Sequence, residues 1–136
     1  MYNISFLKKY VPAEELAEIT GHHTSEDKEF FEDKLQEIEQ RIKAIPPLYG
    51  NEDKGLKGSQ VHLHYFFGGT DIYISELDPE SGTAFGFTCL NGDKYNAELG
   101  YQYIPEIIAI KGMNLDLYWD NGTTLADIMK KYKDGE

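Results

Sequence analysis

Cysteine and arginine are nearly absent from this chain, each occurring once, and the two shortages bound it from different sides. Cys89 has no partner for an intramolecular disulfide, a usage that fits a reducing, cytoplasmic setting. Lysine plus the single Arg41 number 13 against 24 aspartates and glutamates, a formal net charge of −11. A field of that sign repels phosphate backbones and anionic membranes, so direct nucleic-acid or membrane-surface binding is disfavoured. No window approaches the ~20 apolar residues needed to span a bilayer. The opening MYNISFLKKY lacks the basic start and apolar core of a secretory signal. There is no internal repeat, no low-complexity tract, no phosphate-binding lysine-serine pair and no nucleophile elbow around Ser59, Ser75 or Ser81. The expectation is a soluble cytoplasmic protein.

What is present suffices for one core. At 136 residues, 40% hydrophobic and 13% aromatic, the chain reads as a single domain over 1–136 that needs no disulfide or metal staple. The acidic balance is first of all an ordinary solubility device, and it also admits a basic protein partner.

The first 47 residues read as a helical arm. Pro12 and the glutamates of PAEELAEI predict a short helix over 12–19, with Gly21 as its stop. Thr24 or Ser25 caps a longer helix, in which Phe31, Leu35, Ile38, Ile42 and Ile45 recur at alternating spacings of four and three. That single stripe predicts packing on a sheet; it is too short for a coiled-coil seam. Pro46-Pro47 ends the helix, and the Gly-rich stretch 48–59 reads as a loop.

Residues 60–120 read as the sheet. The predicted strands are Val61–Phe67, Asp71–Leu77, Thr83–Leu90, the weaker Ala97–Tyr103, and a fifth in LDLYWD at 115–120. Symmetric closure of the loops places Tyr65 opposite Tyr73 and Tyr73 opposite Phe87. One face then carries Val61, Leu63, Tyr65, Phe67, Tyr73, Leu77, Phe85, Phe87 and Cys89, an evident core. The other carries His62, His64, Phe66, Ile72, Ile74, Glu76, Ala84 and Leu90, too apolar to be bare, which predicts a cover by a helix or a second subunit. Ile104-Pro105 opens a short helix through Ile110, and a terminal helix occupies 123–133. The fold class is therefore α+β: an antiparallel meander of four to five strands with an N-terminal helical arm and two short C-terminal helices.

His62 and His64 are the best pair for chemistry, since residues i and i+2 of a strand share a side and can present two imidazoles to one metal. In the same register Glu76 lies opposite His62, and two histidines with a carboxylate form a recognised metal set. The alternative is two half-exposed strand histidines, one paired across the ladder. His22-His23 reads as loop, Cys89 as a buried inert thiol, and Asp71, Asp78 and Glu80 as turn acids. No catalytic residue and no cofactor are assigned.

Three segments, YISELDPESGTAFGFTCLNG, AELGYQYIPEIIAIKG and LDLYWD, resemble a small uncharacterised family of bacterial, plasmid and phage proteins. The positions that carry the likeness are Glu76-Leu77-Asp78, Phe85-Gly86, Glu98-Leu99-Gly100-Tyr101, Gly112 and Asp116 to Trp119, from near Ile45 onward. Tyr118-Trp119 stands where the family tends to have histidine and phenylalanine. The resemblance implies context rather than chemistry: accessory proteins of mobile elements. Gly86 and Gly100 then read as close backbone approaches or bulges, and Glu98 as a partner for backbone groups at a strand end. The functional expectation is a non-enzymatic accessory factor with a basic protein partner, in its sharpest form an acidic inhibitor of a nucleic-acid-binding host protein. The alternatives are a metal-dependent enzyme using His62, His64 and Glu76, and a homo-oligomer.

Overall fold

Helix formers, an acidic first turn (Glu26, Asp27) and a basic last turn (Arg41, Lys43) make the longest element, α3, Ser25–Lys43. It follows α1, Ile4–Leu7, and α2, Ala13–Thr20, in a computed structural model that describes residues 2–21 and 25–133. The His22-His23 pair and Thr24 lie outside the described residues. The expected stripe is buried: Leu35, Ile38, Ile42 and Ile45 join Leu63, Tyr65, Ile72, Ile74, Leu77 and Leu115 of the sheet in one core, with Phe31 at its margin. Each such aliphatic side chain contributes about 1.5–3 kcal/mol on burial, far more than the intrahelical ion pairs Lys34–Glu37 and Arg41–Glu37 at ~0.2–0.5 kcal/mol each. The stripe is a sheet-packing face.

Five strands follow in the spatial order β4-β3-β2-β1-β5, all antiparallel: β1 Leu63–Phe67, β2 Thr70–Leu77, β3 Thr83–Cys89, β4 Glu98–Tyr103 and β5 Asn114–Leu115. Helix α4, Ile104–Ala109, carries the chain back across the sheet so that β5 lies beyond β1, and α5, Leu125–Lys133, closes the order. The α+β class is as expected, and Tyr73 does pair with Phe87.

Three expectations are corrected. The β1–β2 turn uses two residues, Gly68-Gly69, with Gly68 at φ 57°, where a three-residue loop was expected. Tyr65 therefore pairs with Ile72, and His64 with Tyr73; a shift of one residue exchanges the faces of one strand relative to its neighbour. Second, the β2–β3 register shifts between Ile74 and Glu76, a bulge at Ser75. The extra residue turns Leu77 into the main core beside Ala84 and sends Glu76 to the opposite face beside Phe85. Third, the fifth strand is only two residues long. Asp116 ends it, its carboxylate accepting from the Tyr118 N–H at 3.0 Å in a turn.

Both faces are covered by this chain's own helices. Helices α1 to α4 cover the face of Tyr65, Ile72 and Ile74, where the fully buried Tyr65 hydroxyl donates to the Tyr10 carbonyl at 2.6 Å. Helix α5 covers the other face, packing Leu125 and Ile128 on Val61, Tyr73 and Phe87. Thr124 and Asp127 cap α5 reciprocally: each accepts the other's backbone N–H, at 3.2 and 3.0 Å.

Candidate functional site

The three residues expected to share a metal go to three separate environments. His62 is buried just before β1, close enough to Arg41 of α3 for that charge to act on it. Burial first, and Arg41 second, hold its pKa below the ordinary imidazole value. Val61, one residue earlier, packs beneath α5, so the chain rotates here before entering the ladder.

His64 is clamped. Its Nε2 lies 2.8 Å from Asp71 Oδ1 and its Nδ1 3.3 Å from Asp116 Oδ2, while its ring stacks on Tyr73 at 4.6 Å and an interplanar angle of 5°. Tyr132 of α5 adds its hydroxyl to the other oxygen of Asp71 at 3.3 Å, and Trp119 donates its indole N–H to the Val61 carbonyl at 2.9 Å. The clamp thus ties the β1–β2 hairpin, the segment after β5 and the terminal helix together. Both ring nitrogens of His64 are taken up by the Asp71 and Asp116 carboxylates, so the clamp reads as a fastening.

Glu76 holds a loop. Its Oε1 accepts from the Tyr49 N–H at 2.8 Å and its Oε2 from the Asn51 N–H at 2.9 Å. The Asn51 side-chain amide in turn donates to the Ser75 hydroxyl at 3.1 Å, and that hydroxyl donates to the Gln60 carbonyl at 2.8 Å. Tyr49 sits at φ 68°, a left-handed conformation that costs a non-glycine residue ~1–3 kcal/mol unless its surroundings hold it. The Glu76 carboxylate is what holds it. Among the described residues no group of three or more His, Cys, Asp or Glu is placed to hold a metal ion.

The latch shapes a cavity of about 320 Å³ between the 48–59 loop, the outer strands and the start of α5. Tyr49, Leu56, Phe85, Leu99 and Tyr101 form its walls, with Glu76 and Glu52 contributing the acids. Tyr49 and Tyr101 are 64% and 55% exposed, so both rings are open to a partner. The Tyr101 hydroxyl donates to that of Tyr49 at 3.0 Å across the mouth. This bond, helped by partial burial and by the nearby Glu76 and Glu52 charges, holds the Tyr101 pKa above its ordinary value.

No family model, curated protein or solved structure matches this chain. The groove and the clamp must be judged on their own chemistry.

The groove offers aromatic faces and the exposed Glu52 carboxylate, with the buried charge of Glu76 behind them and no exposed cation among its lining residues. That is the composition of a surface for a positively charged side chain. Sequence reasoning picked out Glu76 but gave it the wrong neighbours, and it passed over Tyr49, Tyr101 and Asp116 as site residues. Tyr49 and Tyr101 carry no periodic signal together; they lie 52 positions apart. The available hint was a tyrosine at the edge of a glycine-rich loop. Of the two glycines singled out, only Gly86 is a close approach: a Cβ there would lie 2.8 Å from the Tyr73 carbonyl carbon, whereas one at Gly100 meets nothing. Cys89 is buried, and burial pushes its thiol pKa up. No helix of the described residues is long and apolar enough to cross a membrane.

Proposed function

We propose that this protein is an acidic, non-catalytic interaction factor that takes a basic surface of a protein partner at the Tyr49–Tyr101 groove. The observation that carries the reading is the pairing of two exposed tyrosine rings with Glu76 and Glu52 in one cavity. A cation over an exposed aromatic face gains about 0.5–1 kcal/mol. The surrounding charge of −11 speeds encounter with a basic partner and repels nucleic acid and anionic membranes. The only arginine, Arg41, has an 8% exposed side chain, so it adds little positive charge to the surface. In its sharpest form the protein masks the nucleic-acid-binding surface of a host protein, because such surfaces are basic. The mobile-element accessory role implied by the resemblance and the cytoplasmic setting implied by cysteine usage belong to the same proposal.

The test is affinity capture from a cell lysate at low salt, with wild type beside Tyr101→Lys, an exposed position where the new cation opposes an incoming one. Expected are basic proteins released by duplex DNA and by about 1 M salt, where the screening length falls to ~3 Å, and lost in the variant. Capture of no basic protein, or capture indifferent to salt and to Tyr101→Lys, overturns the reading.

A further inference from the structure

We infer that the basic partner is bound as an extended segment that adds a sixth strand to the outer edge of β4; the inference rests on the groove reading above. Strand β4 pairs with β3 over all six of its residues without a register shift, and no described strand lies on its other side. Exposed edges are ordinarily protected by lysine, proline or a bulge. ELGYQY has none of these. The opposite edge of the sheet, β5, is only two residues long. An unprotected six-residue edge beside an aromatic groove has the form of a strand-addition site.

The side chains of β4 specify the occupant. Leu99, Tyr101 and Tyr103 fall on the groove face; Glu98, Gly100 and Gln102 fall on the other. A residue of the added strand beside Tyr101 sits about 5 Å from it, within reach of both exposed tyrosine rings. Glu76 stands on β2, three strand spacings or ~14 Å from an added strand, so a lysine there meets the rings in the field of Glu76 and Glu52 rather than bonding Glu76 directly. On the far face the open space at Gly100 admits a large side chain opposite it, so that face of the added strand carries the β-branched residues and the groove face the basic ones. A second copy of the chain fits poorly, since it brings another −11 to the same edge. The occupant is an extended segment of alternating basic and β-branched residues.

An alternating lysine–valine peptide of about eight residues covers β4 with one residue to spare at each end, at ~3.3 Å per residue. Three relatives of it complete the set: lysines exchanged for glutamate, backbone N-methylation on the edge facing β4, and N-methylation on the opposite edge. Affinity is read by fluorescence anisotropy, and amide exchange is followed at Glu98–Tyr103. Expected are binding by the parent, none by the glutamate peptide, and slowed exchange of the β4 amides that point away from β3. N-methylation facing β4 weakens binding by about tenfold or more, since it removes the ladder bonds, while N-methylation on the other edge does not. Equal binding by both N-methylated forms with unchanged β4 exchange overturns strand addition and leaves the basic-partner reading standing. Failure of every peptide, with salt-sensitive capture of basic proteins intact, does the same. Failure of both experiments removes both readings. A chain that is already dimeric by light scattering, with its β4 amides protected in the absence of peptide, makes a second copy the occupant and overturns the proposal.

Discussion

Replacing Glu76 with alanine tests the latch that shapes the groove. The substitution removes two hydrogen bonds to an ionised carboxylate, from the Tyr49 and Asn51 N–H groups. Bonds to charged groups contribute about 1.5–3 kcal/mol each, so the gross loss is ~3–6 kcal/mol. The Asn51 N–H is buried and stays unsatisfied, whereas the part-buried Tyr49 N–H is recovered by water. Release of the left-handed strain at Tyr49 returns roughly 1 kcal/mol more. The expected net cost is about 2–3 kcal/mol, a large share of a typical ~5–15 kcal/mol total. Urea unfolding followed by the single tryptophan, Trp119, measures it; with a slope of ~1–3 kcal/mol/M the midpoint falls by about 0.7–3 M. Glu76→Gln keeps one acceptor oxygen and falls between alanine and wild type. Amide exchange at Tyr49 and Asn51 accelerates beyond that of the sheet. A loss under about 0.5 kcal/mol, the ordinary range for surface substitutions, or unchanged exchange at those two amides, refutes the latch.

Two further outcomes are specific. Gly86→Ala drives a Cβ onto the Tyr73 carbonyl, 2.8 Å from its carbon and 3.1 Å from Ile74 Cα, backbone that cannot yield; it costs about 3 kcal/mol or more. Gly100→Ala meets open space and stays within about 0.5 kcal/mol of wild type; urea midpoints that rank the two alike would sink the distinction. Glu15, whose Oε1 accepts the Leu115 N–H at 2.7 Å, has its pKa raised from 4.5 to about 7, chiefly by burial. A carboxyl raised on folding is more readily protonated in the folded state, so its contribution is complete below about pH 4.5 and is lost as pH rises through 7. Glu15→Gln therefore gains on wild type by roughly 1–2 kcal/mol between pH 5 and 8, discounting the full shift for residual solvent contact. Parallel stability curves for the two proteins would dismiss it.

The helices were legible in the sequence because their signals are local. The 4,3,4,3 spacing from Phe31 to Ile45 and Pro46-Pro47 after it need only neighbouring residues to read. The first four strands were legible for the same reason, and with them the α+β class. Their register was not. One residue of turn length at Gly68-Gly69 decides which side chains of β1 face those of β2, and period-two alternation fits either choice equally well. The bulge at Ser75 is equally silent, since its stabilising partners, the Gln60 carbonyl and the Asn51 amide, come from a loop 15 and 24 residues earlier. The candidate site depended on both. Residue types alone marked His62, His64 and Glu76 as capable of chemistry. Only the folded chain could send His62 toward Arg41, close Asp71 and Asp116 on His64, and turn Glu76 under Tyr49, because each of those pairings joins segments that share no local pattern.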